Sequence, residues 1–147
     1  MEIKKFKSKK DIERVIDLFI KTFAEKPYFE KWTKLAVLER LIHIYKRGKD
    51  FCLYIENENK KVIAFIFCYK YLDYDGINLV IEYVAVDKNY RNNGLGKKLI
   101  LEIEKIAKEQ KIIFIALLAN KDSKAYNFWN KKCNYKLSDY IRLEKKL

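Results

Sequence analysis

The sequence predicts an α+β fold in which a central sheet is flanked by helices. Two amphipathic helical segments lie in the first third of the chain, and three strand-like runs follow them. A long helix, an apolar strand, a short helix and a closing strand complete the pattern. The predicted order is therefore β-α-α-β-β-β-α-β-α-β.

Length and composition indicate one compact unit. Residues 1–147 suit a single domain, and half of the residues are apolar, which is enough for a sizeable core. Four glycines and one proline leave no linker. No apolar run approaches the roughly 18 residues needed to span a bilayer, and MEIKKFKSKK lacks the apolar centre of a signal peptide. We therefore expect a cytoplasmic protein without a membrane segment.

Charge and cysteine content weigh against three classes of function. The net charge is +12, but the lysines are spread along the chain and accompany no nucleic-acid-reading motif, so nucleic acid is not an expected partner. Cys52, Cys68 and Cys133 form no C-x-x-C pair, and the chain has one histidine. We therefore expect neither a disulfide framework nor a metal site, and we interpret the cysteines as buried small hydrophobic residues.

The N-terminal segment begins with a short strand and a helix. Ile3–Phe6 alternates briefly, as an edge strand does. Ser8 precedes Asp11 by three residues, a capping pattern that predicts a helix running to about Phe23. Its expected apolar face comprises Ile12, Val15, Ile16, Phe19 and Ile20.

A second helix is predicted from about Thr33 to Lys46, after Pro27 interrupts the first pattern. Gly48 ends it. Its expected buried face comprises Leu35, Leu38, Leu41, Ile42 and Tyr45.

Three strands follow. Phe51–Glu56 and Val62–Tyr71 are joined by the polar stretch ENENKK, which predicts a hairpin. A third strand from about Asn78 to Val86 follows the turn at Asp75 and Gly76.

The C-terminal third alternates between helix and strand. A helix after the glycines has an apolar face formed by Leu95, Leu99, Ile103, Ile106 and Ala107. The run IIFIALLA is apolar enough to predict a central strand. A last helix is expected from Lys124 to about Cys133, and one or two strands over Tyr135–Lys145 close the chain.

The turn RNNGLG, between the third strand and the long helix, predicts a phosphate site. Gly94 and Gly96 let backbone N–H groups close around an anion, and the helix adds the positive end of its dipole. A dinucleotide-binding G-x-G-x-x-G is excluded because its third glycine would fall at Leu99. No Gly-Lys-Ser/Thr follows, which excludes a P-loop.

Arg91, Gly94 and Gly96 have the spacing Arg-x-x-Gly-x-Gly, which resembles the acetyl-CoA signature of the GNAT superfamily of N-acetyltransferases. The flanking residues Val86, Asp87, Tyr90, Leu95 and Leu99 are also similar to that pattern. The resemblance covers the full length and implies a three-layer GNAT-like fold with a mixed, mostly antiparallel sheet.

Two further segments resemble the branch that contains aminoglycoside-type and related small-amine acetyltransferases. They are FAEKPYFEKWTKLAVLERL and ALLANKDSKAYNFWNKKCNYK. In the second segment Trp129 stands where tyrosine is usual, and Asn134 and Tyr135 replace Gly-Phe after one extra residue.

The resemblance implies where acetyl-CoA binds. The third strand would splay from its neighbour so that its amides pair with the pantetheine arm. The turn and helix start would hold the pyrophosphate, with Lys97 and Lys98 as candidate further cations, although a lysine on a helix is more often simply solvated. Asn120, at the end of the next strand, is a further candidate ligand for the pantetheine arm, and its alternative role is that of a turn residue. The expected cofactor-binding residues are Val84, Ala85, Val86, Arg91, Asn92, Asn93, Gly94, Leu95, Gly96, Lys97, Lys98, Asn120 and Trp129.

Direct transfer to an amine needs a proton acceptor, since an amine of pKa about 10.4 is free base in only about one molecule in 2,500 at pH 7. Glu82 is the candidate, because it interrupts an apolar strand where burial would raise its pKa. Its alternative is a solvent-facing or lysine-paired side chain. Tyr126 is the candidate acid for the leaving thiolate, whereas Trp129 has no transferable proton. His43, beside buried Ile42, is interpreted as a surface residue.

The predicted function is therefore acetyl-CoA-dependent N-acetylation of a small amine. Acetylation of protein lysines or N-termini and coenzyme A binding without turnover remain alternatives, and the sequence leaves open a homodimer. A small polycation would need carboxylates at the mouth of the site. The candidates are Glu25, Glu30, Asp73 and Asp75. The positive net charge would steer anionic coenzyme A toward its site.

Overall fold

The computed structural model describes all residues, 1–147, and contains five strands in one sheet. The elements follow in the order β1 Ile3–Lys5, α1 Lys9–Glu13, α2 Ile16–Ala24, α3 Lys34–Arg47, β2 Cys52–Glu56, β3 Val62–Asp73, β4 Gly76–Val86, α4 Leu95–Glu109, β5 Ile115–Leu117 and α5 Lys124–Asn127. The strands lie in chain order, antiparallel except for the parallel pair of β4 and β5. The predicted α+β class with a mixed, mostly antiparallel sheet is confirmed.

The first predicted helix is divided in two. Ser8 caps α1 by accepting from the Asp11 amide at 3.4 Å, but the regular helix stops at Glu13 and α2 resumes at Ile16. The break includes Arg14, whose guanidinium donates to the Tyr54 hydroxyl at 3.3 Å. The prediction of one continuous helix was therefore wrong. Contacts between segments that are distant in sequence leave no mark on helical periodicity, so the sequence pattern did not show the break.

The second predicted helix corresponds to α3. Thr33 caps it by accepting from the Ala36 amide at 3.2 Å, and Gly48 ends it. Its buried residues are Val37, Leu41 and Ile44, whereas Leu35 is 66% exposed. The predicted buried face was therefore rotated by part of a turn.

Apolar side chains pack on both faces of the sheet. Helices α1 to α3 cover one face, where Phe19, Phe65 and Phe67 are fully buried. Helix α4 covers the other face through Leu99 and Ile103, among others. Burial of each such side chain stabilises the fold by about 1.5–3 kcal/mol. The two layers of helices hold β4 between them.

The three cysteines are free thiols. Cys52 and Cys68 are buried, and burial raises the pKa of both thiols, so they behave as small hydrophobic residues as predicted. Cys133 is only half-buried.

Two predictions for the C-terminal third were wrong. The run IIFIALLA forms only the three-residue β5, which lies at the edge of the sheet rather than in its centre. No strand forms after Tyr135, and Leu137, Ile141 and Leu143 are each more than three-quarters exposed. An apolar or alternating pattern describes side chains alone, whereas a strand also needs a partner for its backbone.

None of the helices combines the length and the apolar character that a membrane-spanning segment requires.

Candidate active site

Strand β4 has a free edge over its last residues. It pairs with β5 only from Leu79 to Ile81, opposite Ile115 to Leu117. The strand continues to Val86, and residues 82–86 have no neighbouring strand on the β5 side. Within this segment, the side chains of Val84 and Val86 pack on the face of the sheet that α4 covers, and that of Ala85 packs on the opposite face. The edge can therefore accept an extended chain that pairs with the backbone.

A glycine turn follows this free edge after the short 3-10 turn Lys88–Tyr90. Asn92 and Gly94 have φ values of 64° and 76°, in the left-handed region, and Gly94 is the N-cap of α4. No side chain caps the helix, so its first-turn amides lack the partner that an N-cap normally supplies. A side chain at Gly94 would meet nothing within 4 Å. The turn thus offers open space and uncapped amides to an anion.

Gly96 lies where three elements meet. A Cβ atom built on Gly96 would lie 3.4 Å from Phe128 Cζ and 3.7 Å from Val86 Cγ2. The helical segment after α5 therefore packs beside the start of α4 and the end of β4. Phe128 forms one wall of the turn, and sequence reasoning did not single it out.

Arg91 is exposed and tied to two groups. Its Nε donates to the Val86 carbonyl at 3.0 Å, and its Nη1 lies 3.4 Å from Glu25 Oε2. An exposed ion pair of this kind contributes only about 0–1 kcal/mol, so a phosphate could replace Glu25 at little cost.

The other predicted residues of the turn and of the first turn of α4 differ in their exposure to solvent. Asn92, Asn93, Lys97 and Lys98 are exposed, and Leu95 is buried. Asn93 donates to the Tyr90 carbonyl at 3.3 Å, and Lys98 donates to the Met1 carbonyl.

Glu82 occupies a β-bulge. Tyr83 pairs with Phe67 and Ile81 pairs with Cys68, which leaves Glu82 as the extra residue of β4. Its carboxylate accepts from Arg40 Nη2 at 2.6 Å, and Arg40 Nε donates to the Tyr83 hydroxyl at 3.3 Å. The Glu82 side chain is 25% exposed. It is therefore partly buried and paired with an arginine, whereas the sequence had offered burial in an apolar strand or, as the alternative, a solvent-facing or lysine-paired side chain.

The hydroxyl of Tyr83 is held in the neutral form by its surroundings. Burial raises the pKa of the Tyr83 phenol, which outweighs the opposite effect of the neighbouring Arg40. Bonding to Tyr83 is in turn the largest cause of the raised pKa of Arg40. Arg40 therefore stays a cation fixed between a phenol and a carboxylate, and it is the second residue that sequence reasoning missed.

The extra residue in the closing motif is absorbed by a π-helical turn, Phe128–Lys132. The Cys133 amide donates to the Phe128 carbonyl at 3.2 Å, five residues back. Asn134 then adopts φ 59°, a left-handed conformation that glycine adopts freely and asparagine tolerates. The turn thus accommodates Asn134 at the position where the family motif has glycine.

Tyr126 and Trp129 lie on this helical segment in different environments. Tyr126 is half-exposed, and its amide donates to Ser123 Oγ at 3.3 Å. Trp129 is 6% exposed, with its ring centroid 5.2 Å from that of Tyr135 and 5.4 Å from that of Phe128. In this arrangement Trp129 supports the wall at Phe128 from within the core.

Asn120 follows β5 by three residues and is exposed. Its side-chain oxygen accepts from the Asp122 amide at 2.9 Å, which is the turn role that the sequence left open. Its amide nitrogen is a potential donor to a ligand.

The sequence matches the acetyltransferase (GNAT) family over residues 13–135. No curated protein shows significant sequence similarity to the chain.

Solved structures with low sequence identity share the fold. A possible acetyltransferase from Clostridium difficile 630 is 20% identical, with a TM-score of 0.81 over 99% of this chain and 97% of that one. A ribosomal-protein-alanine N-acetyltransferase from Brucella melitensis biovar Abortus 2308 is 14% identical, with a TM-score of 0.76 over 100% of both chains. An aminoglycoside acetyltransferase from an uncultured soil metagenomic sample is 21% identical, with a TM-score of 0.73 over 99% of this chain and 95% of that one.

Proposed function

Because the chain belongs to the acetyltransferase (GNAT) family, we propose that it transfers an acetyl group from acetyl-CoA to the primary amine of a small molecule. The observation that carries the proposal is the order of three features along residues 82–96. Glu82 bulges from β4, residues 82–86 have a free edge, and the uncapped start of α4 follows after a short connecting turn.

These features fit acetyl-CoA. The amides of the turn and of the first residues of α4 would bind the pyrophosphate, with Arg91 released from Glu25 to join them. The edge at Val84, Ala85 and Val86 would pair with the amide-containing pantetheine arm once Arg91 leaves the Val86 carbonyl. Four residues of strand span about 13 Å, so an arm that follows β4 back from Val86 places its reactive end near Glu82.

Bound acetyl-CoA supplies the acetyl group: the amine lone pair forms a C–N bond to the carbonyl carbon, the C–S bond breaks, and the thiolate leaves. Glu82 accepts the proton that the amine must lose. Tyr126 donates a proton to the sulfur, since a phenol of pKa about 10 and a thiol of pKa about 8.5 are close enough for transfer.

The test is product formation. Purified protein is mixed with acetyl-CoA and single amines, including small monoamines, polyamines, a lysine-containing peptide and a peptide with a free N-terminus. Thiol release and the mass of the product are measured. N-acetylated small amines are expected. Acetylation of the peptides alone would instead support a protein acetyltransferase, and acetyl-CoA binding without any product would support a binding module.

Tyr126→Phe is expected to lower the maximal rate about 10²-fold, because the variant keeps the ring and loses the transferable proton. The Michaelis constant for acetyl-CoA should change little. Steady-state kinetics measure both quantities.

Tyr140→Phe is the matched control, since Tyr140 is 90% exposed in the C-terminal tail and should be silent. Full activity of Tyr126→Phe would show that the thiolate leaves unaided or is protonated by water.

A further inference from the structure

Helix α3 turns two arginines toward the sheet. Val37, Arg40, Ile44 and Arg47 are spaced by three or four residues and so share one face of the helix. Val37 and Ile44, which alternate with the arginines along this face, are buried in the core. Arg40 contacts Glu82 and Tyr83 on β4, and the guanidinium of Arg47 lies 4.4 Å from the ring centroid of Tyr69 on β3.

Arg40 has binding capacity that the chain does not use. A guanidinium has five N–H donors, and this one bonds to one oxygen of Glu82 and one of Tyr83. The Arg40 side chain is 41% exposed, so the remaining donors reach solvent next to the carboxylate that would accept the amine proton. A carboxylate or phosphate is the group that a guanidinium fork binds best.

Three of the carboxylates that could have bound a small polycation, those of Glu25, Glu30 and Asp73, make other contacts in the free protein. Glu25 pairs with Arg91, and Glu30 accepts from Trp32 Nε1 at 2.9 Å. Asp73 accepts from the Tyr74 amide at 2.8 Å in the β3–β4 turn, where Asp75 also lies. The charged group in direct contact with Glu82 is the cation Arg40.

We infer that the acceptor is an amine that carries its own anionic group, a carboxylate or a phosphate, and that Arg40 is the residue that selects it; this inference rests on the proposed function. The anionic group binds Arg40 in place of Glu82. The Glu82 carboxylate is then free to accept the proton of the neighbouring ammonium. An amine without an anionic group cannot replace Glu82 on Arg40, so it leaves the Arg40–Glu82 pair closed.

Matched pairs of acceptors test the inference. O-phosphoethanolamine is compared with ethanolamine, and 4-aminobutyrate is compared with butylamine, at equal concentrations with saturating acetyl-CoA. We expect the anionic member of at least one pair to have the higher kcat/KM. The pair that shows the preference identifies phosphate or carboxylate as the recognised group.

Arg40→Gln should lower kcat/KM for the preferred anionic amine by about 10- to 100-fold, the effect of losing a charged hydrogen bond to substrate. The partner without an anionic group should show no such loss, because the variant removes the Arg40–Glu82 pair that occupies the Glu82 carboxylate. Arg40→Lys should restore part of the preference, because it keeps the charge without the fork. Lys46→Gln, an exposed residue of the same helix, removes the same charge and should leave the preference intact.

A binding measurement separates recognition from turnover. Calorimetric titration of the preferred anionic amine into protein saturated with coenzyme A should show binding that Arg40→Gln weakens by a similar factor. Melting temperatures verify that each variant is folded.

Two results would overturn the inference alone: equal or better acetylation of the amines without an anionic group, or an equal loss for both members of a pair in Arg40→Gln. In both cases amine acetylation, and with it the proposed function, would stand. Acetyl-CoA binding with no acetylation of any amine would remove the proposed function and the inference together.

Discussion

A Gly96→Glu variant is expected to fold but to bind acetyl-CoA at least about 100-fold more weakly than the parent protein. The new carboxylate would lie at the mouth of the turn where the pyrophosphate should bind. Two unit charges 4–5 Å apart repel by about 3–4 kcal/mol at an effective dielectric constant of about 20. That energy corresponds to a factor of more than 100 in Kd, which calorimetric titration measures directly.

The fold should tolerate this change. Glutamate favours a helix more than glycine does, by up to about 1 kcal/mol, and a negative charge in the first turn suits the helix dipole. Gly96→Ala is one control, because its Cβ would make ordinary contacts with Phe128 and Val86. Leu101→Glu is another, since it adds the same charge to α4 at a residue that is 54% exposed. Unchanged affinity in a folded Gly96→Glu variant would show that the glycine turn is not the phosphate site.

The sequence predicts the local elements well where side-chain pattern and boundary signals coincide. Thr33 and Gly48 delimit α3, and the apolar face from Leu95 to Ala107 predicts α4 within a few residues. The edge position of β5 and the unpaired tail after Tyr135 were not predictable in this way, because they depend on which backbone groups find partners elsewhere in the chain.

The same distinction between local signals and long-range partners applies to the residues of the candidate site. The prediction of Gly94 and Gly96 as a phosphate site rests on their spacing alone, since close approach of the backbone to an anion requires residues without bulk. The bulge at Glu82 has no local signal, because it is defined by the register against Phe67 and Cys68. It redirects the carboxylate toward α3, where Arg40 binds it.

A signal for Arg40 did exist in the sequence. Val37, Leu41 and Ile44 form the buried stripe of α3, and Arg40 and Arg47 lie on its margin. An arginine at the margin of a buried stripe can reach a partner on the element that the helix packs against. The incorrectly rotated helix face, which placed Leu35 inside, concealed this pattern.

Replacing Glu82 by glutamine is expected to lower turnover at pH 7 by about 10²-fold or more while leaving acetyl-CoA affinity unchanged. Glutamine keeps the shape of the side chain and an oxygen that can accept from Arg40 at the 2.6 Å contact, but it cannot accept the proton of the amine. The Arg40–Glu82 pair is partly exposed, so its loss should cost the fold no more than about 1 kcal/mol.

The pH dependence distinguishes a proton acceptor from a structural residue. Between pH 7 and pH 9 the free-base fraction of an amine of pKa about 10.4 rises nearly 100-fold, so the Glu82→Gln rate should recover steeply with pH while the parent rate rises less. Glu39→Gln is the matched control, because it removes an exposed carboxylate from the same helix that carries Arg40. If the pH–rate profile of Glu82→Gln overlaid that of the parent protein, the bulged carboxylate would only position Arg40, and the amine would lose its proton directly to water.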